Sequence, residues 1–262
     1  MMKPKLLLIC LLLTGKIFGQ TKVVVVDGFG RTEVYNVLQA DSSVREGEYT
    51  RFISRNNQAP LVVGRYHQNV KDSTWKYYSG ANRVAEGNYR AGLKVGVWTG
   101  YARGAERLKF DFTTQKLILF TPAAVDTSLK VSLVGDNTNA AIERRPMYLS
   151  GLYTLANFLM RGIRPPAMLM EARKGGEVLV SVMVDENGKA TNYSIRKKFG
   201  FGVDEEVLRV FNLSDGEWTP GSVNGKATAM VVEIPVVFEI NKPDDEPHKP
   251  NQIVIIRSSF GR

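Results

Sequence analysis

The chain has very few of the residues that build covalent cross-links, thiol chemistry or histidine sites. Its 262 residues include one cysteine, Cys10, and two histidines, His67 and His248. A single cysteine cannot form an intramolecular disulfide, so the fold must depend on its apolar core. His67 lies in a predicted hairpin and His248 in a proline-rich tail, so no Ser-His-Asp set can be placed on one scaffold. We therefore expect no enzyme activity, no cofactor and no bound metal.

Long apolar runs are scarce as well. A wholly apolar run of 8 residues, Leu6–Leu13, follows Lys3 and Lys5. Such a run is too short to span a bilayer, whereas a basic, apolar and then small-residue order is typical of a secretory signal. We expect residues 1–20 to be a cleaved signal peptide, with no transmembrane helix retained. The predicted location is the periplasm or the cell envelope.

The charge is uneven along the chain, which carries a formal net charge of +9. Residues 21–125 contain 15 basic and 9 acidic residues, whereas residues 146–241 contain 10 and 11. The cations of the first region are interspersed with acidic residues rather than clustered. That distribution argues against nucleic acid as a partner.

Glycines and aromatic residues recur with a period of 23 positions: Gly64, Tyr66, Trp75 and Tyr78 return as Gly87, Tyr89, Trp98 and Tyr101. A repeat of this length is one supersecondary unit that needs its neighbours to bury an apolar face. The spacing predicts pairs of short strands, in which the glycines turn the strands and the rings fill the core. The predicted repeat core consists of Tyr66, Trp75, Tyr78, Tyr89, Trp98 and Tyr101.

The segment from Gly87 to Tyr101 resembles the MORN repeat family. The matching elements are Gly87-Asn88-Tyr89, Gly92-Leu93-Lys94, Gly96 and Trp98. The resemblance implies an extended antiparallel β ribbon that serves as a scaffold or docking surface without chemistry of its own. We predict roughly three to four units across about residues 34–120, within an all-β N-terminal domain, residues 21–120. A linker follows at 121–145 and includes a candidate short strand at Leu129–Val134.

Residues 146–241 predict an α+β domain with two helices and three strands. Leu152, Leu155 and Leu159 share one helical face, and a second helix begins near Asp204. Val178–Val184 alternates as a strand, and Asn187-Gly188 supplies the following hairpin turn. Met230–Ile240 forms a long last strand.

These motifs resemble the C-terminal domain of TonB. Gly176–Gly188 is similar to the family's core motif, and the motifs that follow keep its order and spacing: Asp204–Leu208, Trp218–Gly221, Asn224–Lys226 and Ile234–Phe238. The resemblance implies two helices on a three-stranded antiparallel sheet, whose last strand accepts a partner's extended segment by strand addition. The implied partner is a protein, such as an outer-membrane protein of a Gram-negative cell that carries a TonB box. The candidate partner edge comprises Val231, Glu233, Pro235, Val237 and Glu239, with Arg164 and Pro165 where the family often has Tyr-Pro.

Two functions remain open from the sequence. The chain is either a non-enzymatic periplasmic TonB-like protein linked to outer-membrane transport, or a structural envelope protein whose repeat ribbon is the binding surface. Pro235 leaves one ladder position without a donor, so its strand should run at a sheet edge or carry a bulge. An open edge favours the first function, and an edge covered by the chain itself favours the second.

The last residues, 242–262, combine a charged, proline-broken spacer with a β-forming segment. Asp244–Glu246 precede an aliphatic run, an order similar to that of a TonB box. We predict that this segment adds itself to the edge of Met230–Ile240 and blocks it until a partner displaces it. The candidate self-capping residues are Ile253, Val254, Ile255 and Ile256. A permanent extra strand, on this edge or against the repeat ribbon, is the alternative.

Overall fold

The computed structural model describes residues 19–26, 32–52, 59–135, 140–172, 174–214, 217–240 and 253–258. The chain divides into two compact units, residues 1–119 and 120–262. Of the predicted signal peptide, only Gly19 and Gln20 lie within the described residues, and His248 lies outside them. Strands dominate the structure and helices are few.

The N-terminal unit is one antiparallel sheet of nine strands, each paired with the next along the chain. The strands are β1 (Gln20–Val26), β2 (Thr32–Leu38), β3 (Arg45–Phe52), β4 (Pro60–His67), β5 (Val70–Ser79), β6 (Asn82–Arg90), β7 (Leu93–Ala102), β8 (Ala105–Asp111) and β9 (Lys116–Phe120). Consecutive pairing of this kind is what a hairpin repeat predicts.

Two glycines of the repeat lie inside strands and allow a tryptophan ring to approach the backbone closely. A Cβ added at Gly64 would lie 2.3 Å from the Trp75 ring, and one added at Gly87 would lie 2.1 Å from the Trp98 ring. Each indole therefore covers the backbone of a glycine that has no room for a side chain. The prediction that these two glycines turn the strands was wrong. The turns follow β4 and β6, where Gly92 has a φ of +80°.

The buried face of this sheet stacks rings and cations in the same period. Trp75 is 1% and Trp98 0% exposed, and the Tyr89 ring stands edge-on to both, with centroids 5.8 and 5.1 Å away. The Lys71 ammonium lies 4.4 Å from the Trp75 centroid, and that of Lys94 lies 5.8 Å from the Trp98 centroid. Each of these two repeats thus places a lysine ammonium against its tryptophan ring, which is a favourable cation–π contact.

Tyr66, Tyr78 and Tyr101 are half-buried, although the sequence placed them in the core. Tyr78 and Tyr101 each follow a tryptophan by three residues, and side chains of a strand alternate, so a spacing of three favours the opposite face. Tyr77 takes the buried position instead. The Tyr101 hydroxyl donates to a Glu86 oxygen at 2.7 Å, and burial, together with that hydrogen bond, raises the pKa of Tyr101 to about 12.

The C-terminal unit is of the α+β class. Its helices are α1 (Ala124–Ser128), α2 (Leu152–Gly162), α3 (Ala167–Ala172) and α4 (Val203–Phe211). Its strands are β10 (Lys130–Leu133), β11 (Met147–Tyr148), β12 (Gly176–Val184), β13 (Ala190–Lys197), β14 (Trp218–Thr219), β15 (Gly221–Val223), β16 (Lys226–Thr228), β17 (Met230–Ile240) and β18 (Ile253–Ser258). β11 pairs with β14 and β15 with β16, as two small ribbons.

The main sheet of this unit has five strands, in the order β10-β17-β12-β13, with β18 also on β17. The strands β17, β12 and β13 are the three antiparallel strands that the sequence predicted. The sheet has two strands beyond the three that the resemblance implies, β10 and β18. β10 lies within residues 121–145, which the sequence assigned to a linker.

The core of the C-terminal unit lies between this sheet and the helices. α2 contributes Leu152, Leu155 and Leu159, and α4 contributes Val203, Val207, Val210 and Phe211. The facing sheet residues are Val178, Val180, Val182, Val184, Val232, Ile234, Val236 and Phe238. Alternate residues of β12 and β17 meet the helices, as the period of two requires.

Candidate partner edge on β17

β17 pairs with three other strands of the main sheet, β10, β12 and β18. Its inner edge pairs antiparallel with β12 in continuous register, from Gly176 opposite Phe238 to Val184 opposite Met230. Its outer edge is the one on which the sequence predicted strand addition. The residues assigned to that edge, Val231, Glu233, Pro235, Val237 and Glu239, are half-buried and alternate with the core residues.

The outer edge of β17 is covered by two segments of the same chain. β10 pairs antiparallel with Met230–Glu233, and β18 pairs parallel with Val236–Ile240. Pro235 lies between the two paired stretches. Since proline has no amide hydrogen, it interrupts a ladder where one segment ends and another begins. Among the described residues, the edge is therefore occupied on both sides of the proline.

β10 is held firmly on its half of the edge. The Lys130 ammonium lies 3.3 Å from a Glu233 carboxylate oxygen. The Arg145 guanidinium donates to the carbonyls of Thr127 and Leu129 at 3.1 and 2.9 Å, just before the strand. The alternation of Leu129, Val131 and Leu133 indicates a short strand in the sequence. Nothing in that pattern indicates that the strand pairs with β17.

β18 is attached in a less regular way. Ile253 lies opposite Val236 and Val254 opposite Val237, but Phe238 is opposite Ile256, so the register shifts at Ile255. A shift of this kind is a β-bulge, which disrupts the ladder locally. The predicted self-capping residues thus lie on the predicted edge, with the strand running parallel to β17.

One end of β18 is tied into the core. Ile253 is 2% exposed and belongs to the same apolar cluster as the buried residues of α2 and β17. α2 also packs against β18. Burial of an aliphatic side chain of this size contributes about 1.5–3 kcal/mol. Ile253 and the backbone pairing therefore both attach β18 to the domain.

Arg164 and Pro165 lie between α2 and α3, and both are exposed. The Arg164 amide donates to a Glu206 oxygen at 2.7 Å. The Arg209 guanidinium donates to both Glu206 oxygens, at 2.6 and 2.7 Å, and to the Gly162 carbonyl at 2.8 Å. This cluster fixes the end of α2 to α4. In the pairings of the described residues, the structure does not bring Arg164 or Pro165 onto the β17 edge.

Replacing Glu206 by glutamine is expected to lower the free energy of unfolding by about 1.5–3 kcal/mol near neutral pH, the range for hydrogen bonds to charged groups. Burial raises the pKa of Glu206, but hydrogen bonds from Arg209 and from the Arg164 amide, with the charges of both arginines, outweigh it and hold the pKa below its usual value. A depressed folded-state pKa contributes stability above the unfolded-state value of about 4.3, and that stability is lost as the pH falls through the folded-state pKa.

Urea unfolding at neutral pH and at about pH 3 measures this effect, and the difference between wild type and Glu206→Gln should shrink at the lower pH. Glu205→Gln is the matched control, because Glu205 is exposed in the same turn of α4. Equal losses in the two variants at neutral pH would contradict the assigned role of Glu206.

Metal-ligating side chains are not clustered in the described part of the chain. No group of three or more His, Cys, Asp or Glu side chains is placed to hold a metal ion there. The side chain of His67 is 64% exposed and its Nδ1 lies 3.1 Å from a Glu46 oxygen. Within the same described ranges, no helix has the length and apolarity needed to cross a membrane.

Part of the C-terminal unit is similar to a known protein family. Residues 164–240 match the family described as Gram-negative bacterial TonB protein C-terminal. Comparison with curated proteins and with solved structures gives no match. The matched segment includes β12, β13 and β17, whereas β10, α2 and β18 lie outside it. Residues 164–240 of the C-terminal unit are therefore identified as similar to a TonB C-terminal domain.

Proposed function

We propose that this is a non-enzymatic periplasmic protein whose TonB-like domain binds an extended segment of an envelope partner by strand addition to β17. The proposed binding stretch is Val236–Ile240. The family match is consistent with a partner in the outer membrane that takes part in transport across it. The observation that carries the proposal is the pairing of β18 with β17. β18 is an extended segment that follows the domain in sequence, and it occupies this edge by strand addition.

The pairing of β18 has features that suit exchange. A parallel ladder is slightly less stable per residue than an antiparallel one, and the bulge at Ile255 interrupts it further. The β12–β17 ladder has neither weakness. An incoming segment with an unbroken register would restore the backbone hydrogen bonds that β18 makes and add those that the bulge prevents.

The half of the edge covered by β10 is a poorer place for exchange. β10 pairs in continuous antiparallel register from Lys130 to Leu133, and Arg145 fixes the chain that leads into it. β10 is also followed in sequence by the body of the domain, so its displacement would disturb more of the fold. These contacts support the choice of the β18 half for the proposed strand exchange.

Deletion of residues 250–262 tests the proposal. The probe is a fluorescein-labelled synthetic peptide of residues 250–258, added to the truncated and to the intact chain. We expect the truncated chain to bind it about tenfold or more tightly than the intact chain, since the intact chain supplies the same strand intramolecularly. Amide exchange of Val236–Ile240 should accelerate on truncation and slow again with peptide, while that of β12 stays protected as the control for folding.

Unchanged amide exchange along Val236–Ile240 after truncation would contradict the proposal. Loss of stability without peptide binding would instead favour the second candidate, a structural envelope protein in which β18 is permanent. Two observations favour this alternative: the chain itself covers the β17 edge, and Ile253 is buried. Its binding surface would be the MORN-like ribbon, whose exposed apolar side chains are Val70, Leu93, Val97, Leu117 and Ile118.

A further inference from the structure

The position opposite Val236 differs from the next position along β18. Ile253 occupies it and is 2% exposed. The next residue, Val254, lies opposite Val237 and is only half-buried. Successive side chains of a strand point to opposite faces, so Ile253 enters the core face and Val254 the other face.

The enclosure around Ile253 comes from a helix outside the matched domain. α2 packs against β18, and its buried residues Leu155 and Leu159 belong to the same apolar cluster as Ile253, Val236 and Phe238. α2 ends at Gly162, before the family match begins at residue 164. The wall of this enclosure therefore lies just before the residues that match the family.

Backbone hydrogen bonds alone discriminate weakly between extended segments, because every non-proline residue offers the same donor and acceptor. A closed apolar position adds a side-chain preference: a polar or charged side chain placed there would be buried without a hydrogen-bond partner. An aliphatic side chain would instead replace the contacts that Ile253 makes with the core.

We infer that the β17 edge selects its incoming segments by one buried aliphatic residue at the place that Ile253 now fills, opposite Val236. This inference depends on the proposed strand addition and specifies its partner. The partner is an extended protein segment with Ile, Leu or Val at that position and a free choice at the next.

Three synthetic peptides of residues 250–258 test the selection: the unmodified sequence, its Ile253→Ser form and its Val254→Ser form. Each carries a fluorescein label and is titrated into the full chain with the substitution Ile253→Ser, whose own β18 lacks the buried side chain. We expect Ile253→Ser in the peptide to weaken binding about ten- to a hundredfold, the factor for losing the burial of one aliphatic side chain. Val254→Ser, the matched control, should weaken it about threefold at most.

The same ranking is expected on the unmodified full chain at higher peptide concentrations, so the result does not depend on how stable the Ile253→Ser chain is. Equal weakening by the two serine peptides on both chains would overturn selection at this position and leave strand addition standing. Absence of binding by the unmodified peptide to either chain would overturn the proposed function together with the inference.

Discussion

Replacing Trp98 by alanine is expected to lower the free energy of unfolding of the N-terminal unit by about 3–5 kcal/mol, the cost of emptying a buried tryptophan site. The ring is fully buried and lies 5.1 Å from the Tyr89 centroid and 6.0 Å from that of Phe112. Its Nε1 donates to the Asn88 carbonyl at 3.1 Å. The substitution removes these contacts and leaves the Asn88 carbonyl without this donor.

Urea unfolding followed by fluorescence measures the loss, since Trp75 remains as a reporter in the same unit. Leu93→Ala is the matched control: Leu93 is in the same strand and 52% exposed, and its loss should cost about 0.5 kcal/mol or less. Trp75→Ala should cost as much as Trp98→Ala, because the two rings occupy equivalent positions of the repeat. Variants of both tryptophans that unfold like wild type would show that the rings are not core.

Replacing Gly87 by alanine is expected to lower the free energy of unfolding by about 1–3 kcal/mol or more, the range for overpacking. The added Cβ would lie 2.1 Å from the Trp98 ring, closer than any van der Waals contact. A rigid indole buried between its neighbours cannot move aside without displacing them. Either the ring or the strand β6 must therefore shift.

A double-mutant cycle separates the clash from other effects of the substitution. When Trp98 is already alanine, Gly87→Ala should cost nothing or stabilise by about 0.5–1 kcal/mol, because glycine in a strand is entropically unfavourable. The measured free energies of unfolding of the two single variants and the double variant should thus be strongly non-additive. Additive costs would mean that Gly87 is needed for a reason other than the approach of the ring.

The sequence predicted the strands of the C-terminal unit better than the roles of the glycines in the N-terminal unit. Val178–Val184 and Met230–Ile240 alternate strictly, and a strand that packs one face on helices must alternate in this way. A glycine in a strand pattern has two physical meanings, a bend or the close approach of another group. Gly64 and Gly87 belong to the second kind, and the partner ring that decides between the two meanings lies in a different strand.

At the candidate edge, too, the sequence indicated some features and not others. Pro235 indicated that the outer side of β17 would not carry an unbroken ladder, and the structure has two separate segments there, on either side of the proline. The sequence also indicated that the tail is β-forming. Neither pattern specifies that the tail runs parallel to β17 or that β10 takes the other half.

The sequence by itself determined the period of 23 in the first unit, the alternation of the strands, the helical faces and the match to the TonB C-terminal domain. These features depend on residues that are close along the chain, where spacing controls which side chains share a face. The tertiary structure alone decided which segments cover β17 and which side chain enters the core there. Those contacts join residues far apart in the chain, Lys130 with Glu233 and Val236 with Ile253. The pairing is chosen by the free energy of the whole sheet, since a β-forming segment can pair with any edge that accepts its backbone.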